Sequence, residues 1–175
     1  MRHKIAFLGM FTAFALIASY IESLIPFYFG IPGVKLGLTN AVIVLVLYLM
    51  GTKEALAVSF ARILLAGFLF GNLYSILYSL AGGMLSFLVM VLLKRWKRFS
   101  VVGVSMAGGV FHNVGQILVA MAVVENVSLA YYMPPLLISG VITGMLIGVA
   151  AREVLDVYKR QSRARTESHF HFPWT

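Results

Sequence analysis

Apolar residues run along this chain in blocks too continuous for a soluble amphipathic helix, and short clusters of Lys, Arg, Gly and Pro separate them. Six blocks stand out, at residues 5–25, 36–50, 54–70, 73–93, 101–124 and 132–151. Most approach the roughly 20 residues a helix needs to cross a bilayer, and none carries the broad polar stripe of a water-facing helix. The pattern predicts an all-α, polytopic membrane protein with six transmembrane helices. The second block is short, and the stretch before it, IPFYFGIPGVKLG, is rich in Pro and Gly. Residues 26–37 therefore read as an irregular loop folded back over the membrane domain. Arg2, His3 and Lys4 ahead of an oily run resemble a secretory signal, but five further blocks favour an uncleaved first helix.

Composition supports this division. Of 175 residues, 61% are hydrophobic and 11% charged, with a mean hydropathy of +0.93. That leaves too few polar residues to coat a soluble globule. No cysteine is present, so a disulfide, a thiolate metal site and a Cys nucleophile are all excluded. The net charge of +8 is distributed topologically. Arg2 and Lys4 precede the first helix, Lys53 follows the second, Lys94, Arg95, Lys97 and Arg98 follow the fourth, and Arg152 follows the sixth, whereas the alternate connections hold only Lys35. Positive residues favour the cytoplasmic side, so both termini and the KRWKR loop are expected there. The same distribution explains the charge without nucleic acid as a partner.

From Asp156 the sequence turns abruptly polar, DVYKRQSRARTESHFHFPWT, without helical periodicity. DVYKRQ is also what one frame of a common transposon sequencing adapter, AGATGTGTATAAGAGACAG, encodes. The expectation is a membrane domain over residues 1–155 and, over 156–175, non-native read-through or a disordered cytoplasmic tail. On this view His169 and His171 are not a metal pair.

Polar groups inside the apolar blocks are the candidate chemistry. Arg62 lies about eight residues, or ~12 Å, from the nearer ends of its helix. A central arginine costs on the order of 2.5–3.5 kcal/mol to insert, so it should face protein or water and have a partner. Ala55, Ser59 and Ala66 share its face. In VFHNVGQ, His112, Asn113 and Gln116 fall on one arc with Ser105, Gly108 and Gly109, while Val110, Ile117 and Leu118 lie on the arc that meets lipid or packed apolar side chains. Such groups often do no more than join helices, for ~1 kcal/mol or less each. Together with Arg62, whose spans contain acids only near their ends (Glu22, Glu54, Glu125), they favour a ligand site. Gly9 with Ala13, and Ser75, Ser79, Gly82 and Ser86, form small-residue stripes that usually mean close helix packing. Tyrosines near block ends read as interface anchors.

The segments PGVKLGLTN, AxxxSFARILLAGFLFGN, SLAGGMLSFLVM, GVSMAGGVFHNVGQ and YYMPPLLISGVITGMLIG occur in the order of a bacterial family called Gx transporters, also known as heptaprenyl diphosphate synthase component I. The resemblance covers nearly all of residues 1–152. That family in turn is similar to the S components of energy-coupling-factor transporters, which are six-helix proteins of the cytoplasmic membrane whose loop between helices one and two caps the ligand. The resemblance implies an S-component-like bundle with substrate-binding positions at Lys35 and Asn40 in the loop, Arg62 in helix three, and His112, Asn113 and Gln116 in helix five. It implies, besides the solute, a membrane coupling subunit and ATPase subunits as partners, with Gly9 and Ala13 as a docking face.

The two family names point to different classes of function. A prenyl chain-elongating enzyme holds diphosphate through magnesium on clustered aspartates, and this sequence has one aspartate, Asp156. Nor does it contain the GxxxxGK[ST] loop that binds ATP phosphates. The expectation is therefore not an enzyme, and no cofactor or metal, but a substrate-binding subunit for uptake of a small anionic solute. Alternatives are an accessory membrane subunit of heptaprenyl diphosphate synthesis, or a stand-alone ion-coupled carrier in which His112 and Glu22 titrate.

Overall fold

A computed structural model describes residues 2–24 and 37–168. They form six α-helices: α1 (Arg2–Leu24), α2 (Leu38–Leu49), α3 (Thr52–Phe70), α4 (Leu73–Trp96), α5 (Val101–Val124) and α6 (Met133–Ser168), with a short 3-10 helix, Val127–Tyr132, leading into α6. No strand occurs among the described residues. The all-α class and the helix positions agree with the sequence pattern. The loop expected at 26–37, including Lys35, lies outside the described residues except for Gly37.

Four helices, α1, α4, α5 and α6, are long and apolar enough to cross a membrane. The other two fall short for different reasons. α2 has 12 residues, about 18 Å of helix against a hydrocarbon core of roughly 30 Å. It starts after Gly37 in the left-handed region (φ 73°) and stops before Gly51, at φ 120°. α3 has 19 residues but carries Lys53, Glu54 and Arg62.

Burial is arranged for lipid. Large apolar side chains such as Ile5, Phe14, Phe68, Leu73, Leu88, Ile138 and Leu146 are exposed, where a membrane protein meets hydrocarbon. The buried core is built around α2, whose Ile43, Val44, Val46 and Leu47 pack with Ala15, Ala55, Val58, Phe87, Met90, Val104 and Ala151 from the other five helices. A short helix surrounded by neighbours can be apolar on every side. α5 packs most extensively, between α4 and α6, and α1 touches only α2 and α3 among the described residues.

Glycine makes the α5 seams close. A Cβ at Gly140 would lie 2.9 Å from the Gly109 carbonyl oxygen, one at Gly144 2.7 Å from the Met106 Cα, and one at Gly148 2.7 Å from the Val102 Cα. On the other side, a Cβ at Gly82 would stand 2.7 Å from the His112 carbonyl oxygen. In a bilayer, where lipid is as apolar as a side chain, such approaches supply the packing that drives helices together. Gly9, by contrast, has nothing within 4 Å of where its Cβ would be.

The helix ends are capped from several sources. Asn72 and Ser75 form a reciprocal capping box at α4, and Ser100 accepts from Gly103 at α5. Gly37 has no side chain to cap α2. Glu22 of α1 does so instead, taking the Leu38 N–H at 2.6 Å and the Thr39 hydroxyl at 3.0 Å.

Past Asp156, where the sequence shows no helical periodicity, α6 continues to Ser168. Asp156 bridges Arg152 and Lys159, each at 3.8 Å and at helical spacing, and Lys, Arg and Gln are good helix formers. Among the described side chains Leu155 is the last buried one, and everything from Val157 to Arg163 is exposed. Up to Arg163 the extension is thus held by local pairing rather than by packing on the bundle.

Candidate functional site

The ends of four helices and the middles of two enclose a cavity of about 170 Å³. Its walls are Ser19, Glu22 and Ser23 at the end of α1, Gly37, Thr39 and Asn40 at the start of α2, and Arg62, Ile63, Ala66, Gly67 and Phe70 in the second half of α3. Ser75 and Ser79 of α4, Gly109, His112, Asn113 and Gln116 of α5, and Thr143, Gly144 and Ile147 of α6 complete it. The cavity therefore lies toward the end of the bundle opposite the N-terminus and the KRWKR loop. The glycine seams explain why it can form there: Gly109 and Gly144 let α5 and α6 approach closely, and the polar arc one turn further along faces the space between helices.

Of the residues singled out from sequence, Asn40, Arg62, His112, Asn113 and Gln116 line this one cavity. Lys35 lies outside the described residues. Gly9 and Ala13 are elsewhere, exposed on the outer side of α1.

Arg62 is the site's main cation. It is 9% exposed, and its Nε has no hydrogen-bond partner. The ion pairs among the described residues join Lys4 to Glu54, and Asp156 to Arg152 and Lys159; Arg62 is in none of them. A guanidinium offers five N–H donors in a rigid planar fork that matches a carboxylate or a phosphate edge. Held in a half-enclosed space with few partners of its own, it is prepared for an anionic group.

Asn113 is less free than its position suggested. Its side-chain amide donates to the Leu136 carbonyl at 2.7 Å and meets the Ser139 hydroxyl at 3.5 Å. Ser139 also donates to Leu136. Asn113 thus ties α5 to the first turns of α6 and presents only its carbonyl oxygen as an unengaged group. Ile117, on the arc expected to meet lipid or packed apolar side chains, meets the latter and is buried at 6% exposure, because α5 is covered on both flanks.

Glu22, Ser19, Thr39 and Thr143 also belong to the cavity wall. Ser19 and Thr39 share a hydrogen bond at 3.0 Å beside the Glu22 carboxylate, and Tyr20 packs its ring 4.9 Å from that of Phe70 at the rim between α1 and α3. The available signal for Glu22 was an acid one turn before a Pro/Gly-rich loop that ends in a glycine unable to cap the next helix.

The sequence profile of the family described as heptaprenyl diphosphate synthase component I matches residues 11–154. No curated protein and no solved structure gives a significant match. The matched span reaches all six helices, though not the start of α1 or the end of α6, and includes every described residue of the cavity wall; the chain belongs to the heptaprenyl diphosphate synthase component I family.

Proposed function

We propose that this protein is a substrate-binding membrane subunit that takes up a small solute bearing an anionic group, using the cavity around Arg62. The observation that carries this is the buried Arg62 guanidinium, unpaired at Nε and bordering a polar cavity. A purely structural arginine in a bundle finds a carboxylate or carbonyl partner, because a buried charge without one is strongly destabilising. A cavity of about 170 Å³ is close in size to an engineered one of roughly 150 Å³ that holds benzene. It suits a solute of a few heavy atoms, not a chain of seven isoprene units.

All six helices are inserted in this reading, the short α2 and the charged α3 being shielded by their neighbours. The positive-inside distribution then puts the cavity in the outer half of the membrane, where a solute arriving from outside would enter. The sequence has no phosphate-binding loop for ATP, so energy would come from separate ATPase and coupling subunits, with the exposed Gly9 and Ala13 face of α1 as their docking surface.

The family description favours a second reading, an accessory membrane subunit that recruits a soluble prenyl-elongating partner to the bilayer. Native mass spectrometry of protein extracted in a mild detergent, wild type and Arg62→Gln side by side, separates the two. A small bound molecule present on the wild type and lost from Arg62→Gln supports solute binding. Co-purification of a soluble synthase, unaffected by Arg62→Gln and without any bound small molecule, overturns it in favour of the accessory role.

A further inference from the structure

The described walls of the cavity hold one guanidinium and one carboxyl side chain, Arg62 on α3 and Glu22 on α1. They have not closed on each other: no ion pair within 4 Å joins them. An α-helix start is ordinarily capped by a Ser, Thr, Asn or Asp side chain at the position Gly37 occupies. Here the cap comes from a neighbouring helix and brings a full negative charge to the wall. Its two oxygens accept one hydrogen bond each, from the Leu38 N–H and the Thr39 hydroxyl, and an ionised carboxylate has about four acceptor sites. Acceptor capacity is left over on a carboxylate that borders the cavity.

We infer that the solute is a small zwitterion, with an acidic group bound by Arg62 and an ammonium group bound by Glu22. This rests on the cavity being the solute site. A simple anion would satisfy Arg62 but lie in the repulsive field of Glu22, and a simple cation would meet the reverse. A molecule carrying both charges satisfies the two walls and leaves no buried charge unmatched. Asn40, Gln116 and the hydroxyls of Ser79 and Thr143 supply uncharged contacts between the two poles. The positive end of the α2 dipole, already met by Glu22, is consistent with the acidic group going to Arg62 instead.

The test is binding of a chain-length series to wild-type protein in lipid nanodiscs, followed by calorimetry and melting temperature. The probes are glycine, β-alanine, 4-aminobutyrate and 5-aminovalerate, each set against the simple carboxylate and the simple amine of the same length. At least one amino acid should bind about tenfold or more tightly than its matched carboxylate and amine. Glu22→Gln keeps the cap, since its carbonyl can accept from Leu38 and its amide can meet Thr39, but removes the charge. It should lose the preference, binding amino acid and carboxylate within about threefold of each other, while Arg62→Gln should lose both. Carboxylates binding wild type as tightly as the amino acids overturn the zwitterion and leave the anion site standing. Binding to neither series, or binding indifferent to Arg62→Gln, overturns both. A Glu22→Gln protein that melts normally and keeps the preference shows that Glu22 is only a cap.

Discussion

Glu22 of α1 and Lys94 of α4 hold opposite ends of the same helix. Glu22 accepts the Leu38 N–H and the Thr39 hydroxyl at the start of α2, and Lys94 donates to the Leu47 carbonyl at its end, with its ammonium 5.0 Å from the centre of the Tyr48 ring. An acid at the N-terminus and a base at the C-terminus are the arrangement the helix dipole favours. Both groups come from outside α2 because Gly37 and Met50, which flank it, provide no side-chain cap. The shortest helix, at the centre of the core, is positioned by its neighbours.

Glu22→Ala and Lys94→Met should each therefore lower stability by about 1–2 kcal/mol, the range for losing hydrogen bonds to a charged group. Glu22→Gln should cost less than half of the alanine value, since the acceptor for Leu38 remains. Thermal unfolding of the three variants in one detergent gives the ranking. Equal damage from Gln and Ala would show that hydrogen-bond geometry at Leu38 contributes little.

The glycine seam makes a second contrast. Ala at 144 would place its Cβ 2.7 Å from the Met106 Cα and 2.8 Å from the Ser105 carbonyl oxygen, both backbone atoms that cannot swing aside. Gly144→Ala should separate α5 from α6 and cost on the order of 1–3 kcal/mol, as overpacking does. Gly9→Ala meets open space and should be neutral or gain up to about 1 kcal/mol from helix propensity. If Gly144→Ala melts no lower than Gly9→Ala, the close approach of α5 and α6 is wrong.

Asn113 and Arg62 line one cavity but should fail differently. Asn113→Ala removes the α5–α6 tie to the Leu136 carbonyl, which keeps its bond from Ser139, so stability should fall by about 0.5–1.5 kcal/mol. Arg62→Lys preserves the positive charge and has no hydrogen bond at Nε to lose, so its melting temperature should stay near wild type. Solute uptake should nonetheless drop about tenfold or more, because a point charge does not replace a planar two-pronged donor. Uptake and melting measured on the same preparations decide it; unchanged uptake in Arg62→Lys would remove the forked contact from the proposal.

Much of this was legible in the sequence because hydrocarbon tolerates few polar residues and those present had to be placed. Arg62, His112, Asn113 and Gln116 met at one cavity as their helical spacing required, since residues three and four apart share a face and the remainder of each helix is oily. Other features were hidden. The Asn113 amide is satisfied by a backbone carbonyl, Leu136, 23 residues away, and backbone acceptors carry no sequence signature. Glu22 read as an acid near a helix end, because only the fold shows that Gly37 leaves α2 uncapped and brings Leu38 to it across the loop. The continuation of α6 past Asp156 has a simpler cause for its silence: hydrophobic periodicity marks helices that pack, and the side chains from Val157 to Arg163 are exposed.

Orientation is the premise on which uptake depends, and it can be tested without knowing the solute. Basic residues gather at the N-terminus, at Lys53, in the α4–α5 connection and after α6, which predicts those points inside and the 3-10 segment before α6 outside. Val127 and Tyr131 are 78% and 85% exposed in that segment, and the chain has no native cysteine to confuse labelling. Cysteine introduced by Tyr131→Cys should react with a membrane-impermeant maleimide in intact cells, whereas Lys97→Cys should react only after the membrane is opened. Since Lys97 sits at the C-terminal end of α4 as a left-handed cap (φ 56°), its substitution disturbs no buried contact, and its protection reports sidedness rather than folding. The reverse labelling pattern would turn the cavity toward the cytoplasm and make the protein an exporter or an internal binding subunit.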